Sequence, residues 1–278
     1  MSPPLTAREV QREYDNRARV ADHAAYFARW ERDSAFVRGT TPCRLDLAYG
    51  PDPRHRVDLF PAERARGTLV FLHGGYWRSL DKSMFSWLAA PWTAAGIHVA
   101  MPNYRLCPAV GIEQIVDDAL AALGWLFEHA PAHGVSMERV VLAGHSAGGH
   151  LAAAVFAAPR ARLAFDPARI AGGVPLSGIF DFAPLRLFSF NADFRLDEAA
   201  VARLDLAGRA RGIAAPLVVA VGADESAEFL RQSRLLAGAW QPQVKSLLVL
   251  PGIHHFSIVD ALAERGQPLH DATLALLD

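Results

Sequence analysis

The chain has 278 residues, 51% of them hydrophobic and 21% charged, with 28 basic side chains against 29 acidic and a net charge of −1. That balance suits a globule with a sizeable core and gives no basic surplus for nucleic acid or an anionic membrane surface, so neither is an expected partner. No apolar run reaches spanning length, Met1-Ser2-Pro3-Pro4 leads into Arg-rich sequence rather than an apolar leader, and Cys43 and Cys107 are too few for a disulfide framework, so the expected compartment is the cytoplasm.

Taken in chain order, residues Thr6 to Arg38 carry Tyr14, Tyr26, Phe27, Trp30 and Phe36 among many charges, which predicts amphipathic helices laid onto a core. Two short alternating runs, Cys43 to Tyr49 and His55 to Phe60, read as an antiparallel pair of strands. Strands are then expected at Thr68 to Leu72, His98 to Tyr104, Val140 to Ala143, Ile170 to Leu176, Leu217 to Val221 and Ser246 to Leu250. Helical patterns fall between them at Lys82 to Ala95, Ile112 to His129, Ala147 to Ala158 and Ser226 to Trp240, and from Phe256 to the end, with Gly96 at a helix C-terminus. The alternation predicts a mostly parallel sheet of eight strands with helices on both faces. Residues 180–212 are too long and too rich in Phe for a plain connection, and read as a small helical cap; residues 1–40 form an N-terminal segment over the core of a single domain, 1–278.

The chemistry concentrates in three places. Gly144-His145-Ser146-Ala147-Gly148 joins a β-branched run to an Ala-rich helix, a context in which a serine is held at a sharp strand-to-helix corner with its hydroxyl presented as a nucleophile. A serine hydroxyl needs a general base, and that base needs an orienting group. Two later strand ends supply candidates: Asp224 and Glu225 after one, His254 and His255 after the next. Glu225 is the preferred acid, three residues beyond Gly222, with Asp224 as the alternative; His255, just before the apolar Phe256, is preferred over His254, which reads as a solvated loop residue. Loops at the carboxyl ends of parallel strands open on one sheet edge, so these residues are expected to meet. His73-Gly74-Gly75-Tyr76-Trp77 follows the third strand, and its glycines allow backbone N–H groups to face a developing oxyanion; Gly74 and Gly75, with the amide of Ala147, are the candidate donors. Tyr76 and Trp77 are the candidate substrate contacts. No metal and no cofactor is called for.

With HGGYW, GHSAGG, Asn103-Tyr104-Arg105-Leu106-Cys107-Pro108, Glu228-Phe229-Leu230-Arg231-Gln232-Ser233 and Pro251 to Phe256 in this order, nearly the whole chain resembles the kynurenine formamidase (arylformamidase) and carboxylesterase branch of the α/β-hydrolase superfamily. The resemblance implies an α/β-hydrolase fold with Ser146, Glu225 and His255 as a triad and Gly74, Gly75 and Ala147 as an oxyanion hole. It also implies a serine hydrolase acting on a small-molecule substrate of the N-formylkynurenine type. The chain departs from the best-known members, which carry Asp as the acid, and this keeps Asp224 open. A general short-chain carboxylesterase, or a hydrolase-shaped protein that binds a small ligand without turnover, are the competing readings, and the sequence leaves both monomer and homodimer open.

Overall fold

A computed structural model describes residues 5–278; residues 1–4, the start of the N-terminal segment, lie outside the described residues. The chain opens with α1 (Ala7–Tyr14), α2 (Asn16–Arg19) and α3 (His23–Thr40), followed by β1 (Arg44–Ala48) and β2 (Arg56–Phe60). Next come β3 (Thr68–Leu72), α4 (Ala89–Ala94), β4 (His98–Pro102), α5 (Ile112–His129), β5 (Val140–His145), α6 (Ala147–Ala157) and β6 (Ile170–Leu176). The last third holds α7 (Asn191–Phe194), α8 (Glu198–Leu204), β7 (Leu217–Gly222), α9 (Ala227–Ala239), β8 (Val244–Leu250), α10 (Ser257–Ala263) and α11 (Pro268–Ala275).

Among the described residues the strands form one eight-stranded sheet in the order β1-β2-β4-β3-β5-β6-β7-β8. β1–β2 and β2–β4 pair antiparallel and the remaining pairs are parallel. The period-2 alternation of a strand separates two cores. Val70, Leu72, Val140 and Leu142 face the layer of α5 and α6, whereas Leu69, Phe71, Val141 and Ala143 face the layer of α3, α4, α10 and α11. The central strands are therefore apolar on both faces, as a sheet sandwiched between helices requires. From β3 the chain steps to β4 on one side and then crosses to β5 on the other. The carboxyl ends of β3 and β5 thus flank the point where the winding reverses, the place where such sheets leave a crevice.

Three helical expectations change. The segment 82–95 splits into a 3-10 turn, Lys82–Leu88, and α4; Pro91 lacks the N–H that one continuous α-helix would need. The run from Phe256 breaks into α10 and α11 at Gly266, whose φ is +87°, with Pro268 restarting the helix. Phe36 is 69% exposed, because Trp30, Ser34 and Val37 define the inward face of α3.

The N-terminal segment is fastened to the sheet layer through one buried polar cluster. Tyr14 Oη donates to Glu228 Oε2 (2.8 Å) and accepts from Gln232 Nε2 (2.9 Å). Gln232 Oε1 accepts from the amides of Phe180 and Asp181 (2.8 Å each) at the start of segment 180–212. One turn of α9 therefore anchors both peripheral segments. Tyr14→Phe removes a buried donor to a charged acceptor, and urea unfolding is expected to register a loss of about 1–3 kcal/mol.

Candidate active site

Ser146 sits at the corner between β5 and α6 with φ 56° and ψ −116°, a conformation that residues with a Cβ rarely adopt. Its amide donates to the Leu176 carbonyl at 2.8 Å, which pins the corner to β6. The flanking glycines are required by contact: a Cβ on Gly144 would lie 2.1 Å from the Gly148 carbonyl oxygen, and one on Gly148 would lie 2.0 Å from that of Leu72. Ala147 begins α6, so its N–H belongs to the first turn, where amides have no partner inside the helix.

Glu225 and His255 meet across the ends of β7 and β8. His255 Nδ1 lies 2.7 Å from Glu225 Oε2, and the carboxylate is wholly buried. Glu225 Oε1 also accepts from Ser177 Oγ (2.5 Å) and from the Gly222 amide (2.8 Å). A carboxylate accepts, so His255 Nδ1 carries the proton of this bond, and in the neutral ring Nε2 is the nitrogen with the lone pair. Asp224, the alternative acid, is exposed and does not meet the imidazole; the turn that follows β7 points it outward and its neighbour inward. His254 is also corrected. It is half-buried rather than solvated, with Nδ1 accepting from the amides of Phe256 (3.2 Å) and Ser257 (3.3 Å) and its ring edge-on to Tyr26 at 5.1 Å.

His145 and Ser177 were not singled out by the motifs. His145 Nε2 donates to the His255 carbonyl at 2.7 Å, its ring lies 4.7 Å from that of His255, and a Cβ on Gly74 would come within 2.9 Å of its Nδ1. This imidazole is the spacer between the HGG loop and the histidine loop. The signal available for Ser177 was position alone, directly after a parallel strand and beside the two strand ends already chosen.

The loop after β3 is held from behind. His73 stacks on Tyr104 (centroids 4.3 Å apart) and its Nε2 lies 2.8 Å from Asn103 Oδ1, while the Tyr104 hydroxyl donates to the His73 carbonyl at 2.7 Å. Asn103 Oδ1 also accepts from Arg54 Nη2 (2.9 Å), and Asn103 Nδ2 donates to Asp81 Oδ2 (2.6 Å). The Asn103-Tyr104 pair noted in the sequence is thus the support of the Gly74-Gly75 backbone. Gly75 has φ +119°.

A cavity of about 200 Å³ opens on this edge, and Gly75, Tyr76, His145, Ser146 and His255 line it. The α1–α2 junction contributes Tyr14, Asn16 and Arg17, α3 contributes Phe27 and Trp30, and segment 180–212 contributes Phe188 and Phe190. Tyr76 is held there by donating to the Tyr14 carbonyl. Trp77 is a correction: it is fully buried away from the cavity, packed on His150, Phe182 and Phe194. Tyr76 and Trp77 are neighbours with φ 52° and 53°, and their side chains part to cavity and core. Most aromatic residues of segment 180–212 are core as well, since Phe180, Phe182 and Phe194 are buried in the main apolar cluster.

The fold and this site define the class. A family model of the α/β-hydrolase fold matches residues 69–216, and the chain belongs to that family. Among its relatives, the kynurenine formamidase of Drosophila melanogaster is 28% identical over 230 residues, 78% of this chain and 76% of that protein. The kynurenine formamidase of Salmo salar is 25% identical over 252 residues, 87% and 84% of the two chains. A solved structure from Silicibacter sp. TM1040, provisionally described as a thioesterase, is 35% identical, with a TM-score of 0.87 and coverage of 96% of this chain and 99% of that one.

Burial keeps three imidazoles of the region neutral: it lowers His73 to about 4, His150 to about 3, and His145 well below the ordinary histidine value. In the unfolded chain each takes up a proton near pH ~6.5. Below that pH the unfolded state binds more protons than the folded one, so stability falls on acidification towards pH ~4 and is fully present above ~6.5. Thermal melts are expected to be level between pH ~7 and ~8 and to drop steadily from ~6.5 downward. His150→Phe is expected to make that drop shallower; an unchanged slope would contradict neutral burial of this ring.

Proposed function

We propose that the protein is a serine hydrolase that removes a formyl or other small acyl group from an aryl amide or ester, with aryl formamides of the N-formylkynurenine type as its substrates. The observation that carries this reading is the buried Glu225–His255 pair, 2.7 Å apart, at the wall of the cavity that also contains Ser146. In this reading Ser146 Oγ attacks the acyl carbonyl while His255 Nε2 takes its proton, and Glu225 stabilises the resulting imidazolium. The amides of Gly74, Gly75 and Ala147 receive the oxyanion, each such donor contributing about 3 kcal/mol to the transition state. As the acyl bond breaks, His255 gives the proton it took from Ser146 to the departing amide nitrogen or aryloxide oxygen, and the free arylamine or phenol leaves. A water, deprotonated by the same imidazole, attacks the acyl-serine, releasing formate or the short acid and restoring the hydroxyl.

The formamide preference is supported by the likeness to the two kynurenine formamidases over most of the chain. An aromatic leaving group suits a cavity walled by Phe27, Trp30, Phe188 and Phe190. The two free cysteines suit a cytoplasmic setting. A second reading, hydrolysis of short-chain esters or thioesters, is favoured by the likeness to the Silicibacter chain.

Turnover of formanilide and of 4-nitrophenyl acetate by the purified protein separates the two, and ester cleavage without formamide cleavage rejects the first. Ser146→Ala is expected to lower kcat/KM at least about a thousandfold on either substrate and to abolish fluorophosphonate labelling. Glu225→Gln is expected to cost about a hundredfold or more, and Asp224→Asn less than about twofold. Equal losses from the two acid variants would remove Glu225 from the relay. An unlabelled Ser146 would point to a protein that binds without turnover.

A further inference from the structure

Seven of the seventeen residues that line the cavity carry Phe, Tyr or Trp rings, so an uncompensated charge among them discriminates among ligands. Two arginines reach it. Arg78 is compensated: its Nε donates to Asp193 Oδ2 at 2.7 Å, and its guanidinium lies 4.2 Å from the centre of the Phe190 ring. Arg17 is not. Among the described residues it has no carboxylate partner, and its guanidinium rests over Phe27, 5.3 Å from the ring centre. Asp15 is the carboxylate on the same wall, and it is turned back on its own helices, accepting from the Ala18 amide (3.1 Å) and from Gln11 Nε2 (3.3 Å). Beside Arg17, the side chain of Asn16 is buried, and its Nδ2 makes one long contact, 3.5 Å to the Tyr76 phenol oxygen.

The depths of these groups set an order. Ser146 is 2% exposed and buried like the aromatic wall residues Trp30 (1%) and Phe188 (2%), whereas Phe27 and Phe190 are half-buried and Arg17, on the same cavity, is exposed. An acyl group held at the buried serine leaves the solvent-facing side of the cavity, where Arg17 stands over Phe27, to its leaving group. A ring suits the aromatic stretch, and a planar fork of donors suits a carboxylate beyond it. Stacking on Phe27 holds the fork in place before a ligand arrives.

We propose that Arg17 is a specificity-determining residue that receives a carboxylate on the leaving group, so that the preferred substrates are acylated arylamines or aryl esters bearing an anionic group remote from the scissile carbonyl. This rests on the hydrolase reading above. The pairing is partly solvated, so it weakens with added salt.

The test uses matched substrate pairs that differ by one carboxylate: 3-formamidobenzoate against formanilide, and 3-acetoxybenzoate against phenyl acetate. The ratio of kcat/KM for the anionic member to that for the neutral one is expected to exceed one in the natural protein. It is expected to fall about tenfold in Arg17→Ala and further in Arg17→Glu, chiefly through KM. Arg19→Ala, an exposed neighbour off the cavity wall, is expected to leave the ratio unchanged. Equal losses on both members of a pair, or a ratio indifferent to residue 17, would overturn the proposal. Equilibrium binding of 3-aminobenzoate against aniline, followed by tryptophan fluorescence, gives a readout that needs no turnover. A carboxylate preference that depends on Arg17 there, with no hydrolysis of any substrate, would reject the catalytic reading and keep the charge reader; no such preference would reject the charge reader whatever the activity.

Discussion

The corner at Ser146 is the constraint on which the rest of the site depends. β5 must end, reverse direction and start α6 within one residue, and the backbones of β3 and of α6 itself leave no space for a side chain at Gly144 or Gly148. The strained dihedrals of Ser146 are held by the Leu176 carbonyl on one side and by a wholly buried, small-residue helix on the other. Strain of this size persists only where neighbouring structure over-determines it. The result is a hydroxyl fixed at the crevice between β3 and β5, with the first amides of a helix beside it.

Around that corner, short side-chain contacts replace long-range order. Glu225 gathers an imidazole, a hydroxyl and a backbone amide onto one carboxylate, which fixes the tautomer of His255. His145 then sets the spacing between the histidine loop and the glycine loop, because its ring is bonded to one and packed against the other. Asn103 does the same from behind, binding His73, Arg54 and Asp81 together. Each loop brings one polar group to the cavity edge and is positioned by a residue from a different strand end.

The sheet edge supplies His145, Ser146 and His255 to the cavity, and the chain's peripheral segments supply the walls. Tyr14, Asn16, Arg17, Phe27 and Trp30 come from the first three helices, and Phe188 and Phe190 from the segment before β7. Both segments are fastened to α9 through Tyr14, Glu228 and Gln232. Walls drawn from peripheral segments vary independently of the sheet edge, which is why fold alone does not name a substrate.

The local patterns carried the strands, the parallel sheet, the elbow and the HGG loop, because period-2 apolar runs and obligatory glycines are written in neighbouring residues. The choice of Glu225 over Asp224 also followed from spacing within one turn. What neighbouring residues could not fix was decided in three dimensions. Trp77 went to the core and Tyr76 to the cavity because Phe182 and Phe194, about a hundred residues later, close over one side chain, while Phe188 and the Tyr14 carbonyl hold the other. His145 and Ser177 acquired partners only when separate strand ends were laid side by side, and Arg17 became part of the cavity wall only because Tyr14 docks on α9, more than two hundred residues away in the chain. Sequence determined which backbone corners had to exist, since sterics acts between adjacent residues; packing determined which side chains face the cavity, since that depends on contacts between residues far apart in the chain.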